Sequence, residues 1–155
     1  MRVSDIVQPE LIRLNLAAIS RDEAIAELTG LLAAQGKLVS AGAFQEAVLA
    51  REALGPTGVG LGIAIPHGKS TAVRQAAVAV GRSKGGIYFG ASDGTPAHLI
   101  FLIAAPDSAD NLHLKVLAQL SRMLMDEGFR SELAGAGSVE EFMAAIARRE
   151  GGSQP

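Results

Sequence analysis

Seven consecutive apolar residues, Leu99-Ile-Phe-Leu-Ile-Ala-Ala105, restrict this chain's fold more than any other stretch. The run is far below the ~18 residues that a membrane span needs, so it reads as a buried strand. Two further stretches have strand character, Ala76-Ala-Val-Ala-Val80 and Ile87-Tyr-Phe89, and the turn-formers Gly85-Gly86 and Asp93-Gly94 separate the three. A short strand is expected at Leu11–Leu16, and an apolar one at Ile63-Ala-Ile65. Helices flank this central block. Ser20 with Glu23 forms a capping box ahead of Ile25, Leu28, Leu31 and Leu32, which recur at helical spacing until Gly36. A second helix is predicted from about Ser40 to Leu54, with Phe44, Ala47, Val48 and Leu54 on one stripe. Asp110 is placed to cap a long helix through about Asp126. A short turn should follow through Leu133, and Ser138 with Glu141 opens a last helix. Helices at both ends of a strand block imply a three-layer α/β/α sandwich, a mixed central sheet covered on both faces.

Composition removes several functions. With 155 residues there is room for one domain, drawn at 1–150 with a small, polar tail at 151–155. The formal net charge is −2, so no whole-chain positive field is available for nucleic acid or an anionic membrane. Aromatic residues make up only 4%, with no Trp, which argues against stacking platforms for bases or sugars. There is no cysteine, hence no thiol nucleophile and no thiolate metal site. The first ten residues carry charge and Pro9 where an export signal would need an unbroken apolar run.

Three histidines remain as candidates for chemistry. His67 stands between Pro66, which fixes one backbone dihedral, and Gly68, which relaxes two, so a sharp turn is expected to present its imidazole at a strand end. The segment Gly62-Ile-Ala-Ile-Pro-His-Gly68-Lys69-Ser70 ends like a nucleotide-binding loop, but five residues rather than four separate its glycines. ATP or GTP binding is set aside on that spacing. His113, at the third helical position if Asp110 is the cap, heads a stripe with Val116, Leu117, Leu120 and Leu124. It reads either as a satisfied core histidine or as an anion ligand at a helix N-terminus. His98 opens the apolar strand with no evident partner and is read as structural. Arg51 continues the Phe44–Val48 stripe, so its guanidinium either snorkels outward or meets an anion. Thr57, in the glycine loop Gly55–Gly62, could donate a hydroxyl to that same anion. No HxxxH or HxH spacing supports a metal site.

Taken together, Leu49-Ala-Arg51-Glu-Ala-Leu-Gly-Pro-Thr57-Gly-Val-Gly-Leu-Gly-Ile-Ala-Ile-Pro-His67-Gly-Lys resembles the active-site signature of the fructose/mannitol class of enzyme IIA domains of the bacterial phosphoenolpyruvate-dependent sugar phosphotransferase system. Val80-Gly-Arg-Ser-Lys84, Asp93 to Pro106 and His113 to Asp126 are similar to its fructose branch. The resemblance runs over about residues 4 to 148. It implies a cytoplasmic phosphocarrier on which His67 is phosphorylated, with Arg51 and His113 as active-site partners and Thr57 in the equivalent loop. Phosphate would arrive from the phosphohistidine of the small carrier HPr and leave to a cysteine of a IIB domain. No cofactor or metal is expected, and the link to the membrane would run through a separate IIC domain without insertion of this chain.

Chemistry agrees with those roles. An isolated imidazole, with pKa ~6.5, is largely neutral near pH 7 and can attack phosphorus unaided. Phosphoryl transfer then needs mainly positioning and charge stabilisation. The nitrogen-regulatory IIA proteins are a second resemblance, carried by Leu54-Gly-Pro-Thr57-Gly-Val-Gly60 and by a single short domain. They act as phosphorylation-dependent regulators that bind partners.

Overall fold

The computed structural model describes residues 2–152. Its elements in chain order are α1 (Val3–Ile6), β1 (Ile12–Arg13), α2 (Arg21–Ala34), α3 (Ala41–Leu54), β2 (Gly58–Gly60), β3 (Ile63–Ala64), β4 (His67–Ser70), β5 (Ala77–Ile87), β6 (Ala97–Pro106), α4 (Leu112–Leu124), α5 (Glu127–Gly135) and α6 (Val139–Gly152). The strands form one mixed sheet in the order β1-β5-β6-β3-β2, with β4 also paired to β6. The apolar run is its spine: β6 pairs antiparallel with β5 and parallel with both β3 and β4.

Alternation along the two long strands explains the three layers. Val78, Val80, Leu99, Phe101 and Ile103 point into a core shared with α1, α4, α5 and α6. Their neighbours Ala77, Ala79, Ile100, Leu102 and Ala104 point the other way, against α2 and α3. Successive strand residues face opposite sides, so a run apolar at every position requires cover on both. Each such Ile, Leu or Phe contributes about 1.5–3 kcal/mol by leaving water. The expected sandwich is the observed one.

Local chemistry sets the helix ends. Ser20 Oγ accepts from the Glu23 N–H, Ser40 Oγ from the Ala43 N–H and Ser138 Oγ from the Glu141 N–H. Each hydroxyl satisfies a donor that the first helical turn leaves unpaired.

Several expectations change. Gly85-Gly86 does not separate two strands: β5 runs through both, with a register irregularity between Arg82 and Ile87. Gly86 sits at φ +82°, where a side chain would be strained, and absorbs the irregularity within the strand. Asp110 does not cap α4. It lies at φ 50°, and Asn111 is the N-cap, without a side-chain cap bond. The turn expected through Leu133 is a nine-residue helix with Gly128 inside it, capped by Asp126 Oδ1 on the Gly128 and Phe129 N–H groups. Leu54, placed on the buried stripe of α3, is 86% exposed. The strand expected at Leu11–Leu16 is two residues long, preceded by a turn of 3-10 helix at Pro9–Leu11. Of the polar tail, Gly151 and Gly152 continue α6, and 153–155 lie outside the described residues.

The sequence pattern missed α1, and it missed β2, which runs through Gly58–Gly60 of the glycine loop. α1 is only four residues long, and the carboxylate of Glu150 in α6 accepts from the Val3 and Ser4 N–H groups at its start, at 2.5 and 3.1 Å.

Candidate active site

The segment carrying His67 does not turn. Ile63 and Ala64 pair with Leu99 and Ile100, and His67 to Ser70 pair with Ile103 to Pro106 in the same parallel register. The two strands are one extended path interrupted at Ile65-Pro66. Pro66 cannot donate to a ladder, but its carbonyl accepts from the Ile103 N–H at 3.0 Å. Ile65 meanwhile donates to the Thr57 carbonyl at 3.0 Å, which ties the glycine loop to the path. The Gly68-Lys69-Ser70 that resembles a nucleotide cradle is therefore strand.

His67 is 7% exposed, and its Nδ1 lies 3.0 Å from the Ile65 carbonyl oxygen. A carbonyl only accepts, so the ring proton belongs on Nδ1 and the neutral imidazole keeps its lone pair on Nε2. Gly68 beside it lets α3 approach the sheet edge. A Cβ there would stand 2.9 Å from Val48 Cγ2 and 3.2 Å from Phe44 Cε1. The close approach brings Arg51, one turn beyond Val48, towards His67.

Arg51 is half-buried, and its Nη1 donates to the Gly55 carbonyl at 2.8 Å. That bond closes the last turn of α3 and holds one arm of the guanidinium fork. From the other face comes α4, whose second residue is His113. The His67 and His113 ring centroids are 6.1 Å apart, with the planes tilted by 34°. His113 Nδ1 is buried without a hydrogen-bond partner. Burial pushes the His113 pKa down from its ordinary value, and the nearby His67 and Lys69 charges push it further the same way. Protonation would also add a donor at the unpartnered Nδ1, which costs free energy in itself. His113 is thus biased towards the neutral form.

These side chains surround an open depression of about 480 Å³. Arg51, His67, Lys69 and His113 line it, with no carboxylate, and Ala47, Ala50, Leu54 and Leu114 supply apolar surface. A depression of equal volume between α5 and α6 holds no histidine and is lined by Glu132 and Glu141, so chemistry rather than size distinguishes the first.

Thr57 lies outside this group. It is buried, its hydroxyl donates in a short hydrogen bond to Glu52 Oε1, and its N–H reaches Glu52 Oε2 at 3.4 Å. Loop proximity in sequence suggested a shared anion, but the buried Glu52 carboxylate takes the hydroxyl instead. His98 is also apart, with Nδ1 against the Ser83 carbonyl at 2.9 Å. Among the described residues, no group of three or more His, Asp or Glu side chains is placed to hold a metal ion. Lys69 is the lining residue that the sequence reading passed over. Its spacing of two from His67 within a strand was the available signal.

The fold thus sets two histidines, an arginine and a lysine together at one edge of a two-sided α/β sandwich. The chain belongs to the family described as "Phosphoenolpyruvate-dependent sugar phosphotransferase system, EIIA 2", whose model matches residues 5–149. It is 40% identical over 146 residues to the fructose-specific EIIABC component of Bacillus subtilis, covering 94% of this chain but 23% of that much longer protein. It is 39% identical to the fructose-specific EIIA component of Haloferax volcanii, covering 94% of each. A nitrogen regulatory protein of Bradyrhizobium diazoefficiens is 35% identical, covering 95% of each chain. Among solved structures, the nitrogen regulatory protein IIA-Ntr of Neisseria meningitidis superposes with a TM-score of 0.86 at 34% identity, covering 93% of this chain and 98% of that one. Enzyme IIAMTL of Escherichia coli, solved in complex with phosphorylated enzyme IIBMTL, superposes at 0.80 with 30% identity, covering 92% and 99%.

Proposed function

We propose that this chain is a cytoplasmic phosphocarrier that accepts a phosphoryl group on His67 from the phosphohistidine of HPr and passes it to a cysteine of a IIB domain, serving fructose uptake through a membrane IIC domain. The observation that carries this reading is the His67 Nδ1 contact with the Ile65 carbonyl, which leaves Nε2 as the nucleophile beside the basic depression. In the first step the Nε2 lone pair forms a bond to phosphorus while the donor's N–P bond breaks and its electron pair returns to the donor imidazole. In the second, a IIB thiolate attacks phosphorus and the pair returns to His67 Nε2. Arg51 offers the free arm of its fork to the equatorial oxygens, and His113 donates a hydrogen bond from Nε2. Thr57 acts through Glu52, fastening the loop that holds Ile65. The apolar surface of Leu54 and Leu114, 86% and 48% exposed, suits protein partners at a shallow site.

The fructose assignment rests on 40% and 39% identity to fructose-specific components and on the Val80–Lys84 and Asp93–Pro106 stretches. A regulatory role is the second reading, favoured by the TM-score of 0.86 to IIA-Ntr. Incubation with phosphoenolpyruvate, enzyme I and HPr should put acid-labile phosphate on wild type and none on His67→Ala. An unlabelled wild type, or an equally labelled variant, refutes the mechanism. Transfer onward to a purified fructose IIB domain separates the two readings; failure with every sugar-specific IIB favours regulation.

A further inference from the structure

We propose that Lys69 is a fourth member of this site, its ammonium pairing with the phosphoryl oxygens once His67 is phosphorylated. The inference rests on the reading of His67 as the acceptor. Residues 67 and 69 are separated by one position in β4, so their side chains leave the strand on the same face. Both line the depression, together with Arg51 and His113. Lys69 is exposed, and among the described residues its ammonium forms no ion pair or hydrogen bond. A flexible, unpaired cation beside the acceptor, with no carboxylate lining the same depression, is free to meet an arriving anion.

The charge balance favours a second cation beside Arg51. A phosphoryl group on imidazole carries close to two negative charges near neutral pH. In the unphosphorylated protein His113 is biased towards neutrality, so it brings no standing charge to an arriving phosphoryl group. Arg51 supplies one full charge, with one arm of its fork already held by Gly55. Lys69 is the remaining cation in the lining, and β4 fixes its Cα two residues from the reacting nitrogen. Its ammonium is a strongly hydrated point charge on a mobile stem, suited to following phosphorus as it approaches and leaves. The proposed pairing therefore acts on both the forward and the return transfer.

The test compares wild type, Lys69→Gln and Lys69→Arg, each labelled in parallel with phospho-HPr and with phosphoramidate, a small phosphoryl donor that needs no protein docking. Lys69→Gln should be labelled about tenfold more slowly by both donors, the size expected for loss of one charge-assisted contact, and Lys69→Arg within about threefold of wild type. Raising salt should slow wild type more than Lys69→Gln. The histidine NMR titration gives a readout independent of transfer: Lys69→Gln should move the His113 midpoint upward, because a nearby positive charge is removed. Equal labelling of wild type and Lys69→Gln by phosphoramidate overturns the proposal while leaving the His67 mechanism intact. Equal loss in Lys69→Gln and Lys69→Arg also overturns it, since charge would not be the property that matters. A defect with phospho-HPr alone would make Lys69 a docking residue and refute its pairing with phosphate. A wild type that neither donor labels on His67 overturns the acceptor reading and this inference together.

Discussion

Replacing Thr57 by Val removes one hydroxyl and little volume, and it separates a structural from a chemical role for the glycine loop. In the folded protein that hydroxyl donates a short hydrogen bond to Glu52 Oε1, and the pair is buried, with Glu52 5% exposed. Without it the carboxylate keeps, among the described residues, only the Thr57 N–H at 3.4 Å, at the long end of a useful contact. Hydrogen bonds to charged groups contribute about 1.5–3 kcal/mol, and a buried acceptor left short of partners incurs most of that. For a domain of this size each 1 kcal/mol lowers Tm by about 2–4 °C, so the loss should be about 3–12 °C. Thr57→Ser, which keeps the hydroxyl, should stay near wild type. Thermal and urea unfolding give the stability, and the initial rate of His67 labelling by phospho-HPr at 20 °C gives the chemistry. The expected result is a clear stability loss with labelling within about threefold of wild type once corrected for the folded fraction. A Thr57→Val protein that melts with wild type but labels more slowly by about 30-fold would refute the reasoning, because the hydroxyl would then serve the phosphoryl group.

Two further outcomes follow from the structure. Because the folded state holds the His113 pKa below its ordinary value, folding disfavours its proton; this contribution to stability is complete above the unfolded pKa of ~6.5 and fades as pH falls from there through the lower folded value. Urea midpoints of wild type against His113→Gln across that range should converge on acidification, and parallel curves would remove His113 as the source; the same variant should accept phosphate more slowly than wild type. Glu150→Ala should lower stability by about 1–2 kcal/mol by unpairing the start of α1 while leaving the labelling rate unchanged, and an unchanged Tm would show that α1 needs no cap.

The parts legible in the sequence were those fixed by local rules. Caps at Ser20 and Ser138 act within one turn, and the β6 run states its own burial. The Pro66-His67-Gly68 trio and its family resemblance pointed to the histidine without its geometry. What remained hidden depends on contacts distant in sequence. α1 is held by a carboxylate 147 residues away, which no window around Val3 reveals. The path at His67 is straight because β6 supplies a parallel partner on both sides of Pro66, whereas Pro and Gly by themselves suggest a turn. Gly85-Gly86 read as punctuation, but Ile87 pairs with Ala97 and keeps the strand going. Thr57 was assigned by proximity along the chain, and the buried Glu52 behind it decided otherwise.

The straight path through β4 also bears on how the two phosphorylation states would be told apart. His67 sits on backbone paired with β6 from His67 to Ser70, so an added phosphoryl group would meet backbone already held in the sheet. What would change is the charge of a small patch: a basic hollow rimmed by leucine would become nearly neutral, with a concentrated negative centre and the same contour. A partner that distinguishes the two forms must then read potential rather than shape, and discrimination between them should weaken as salt rises.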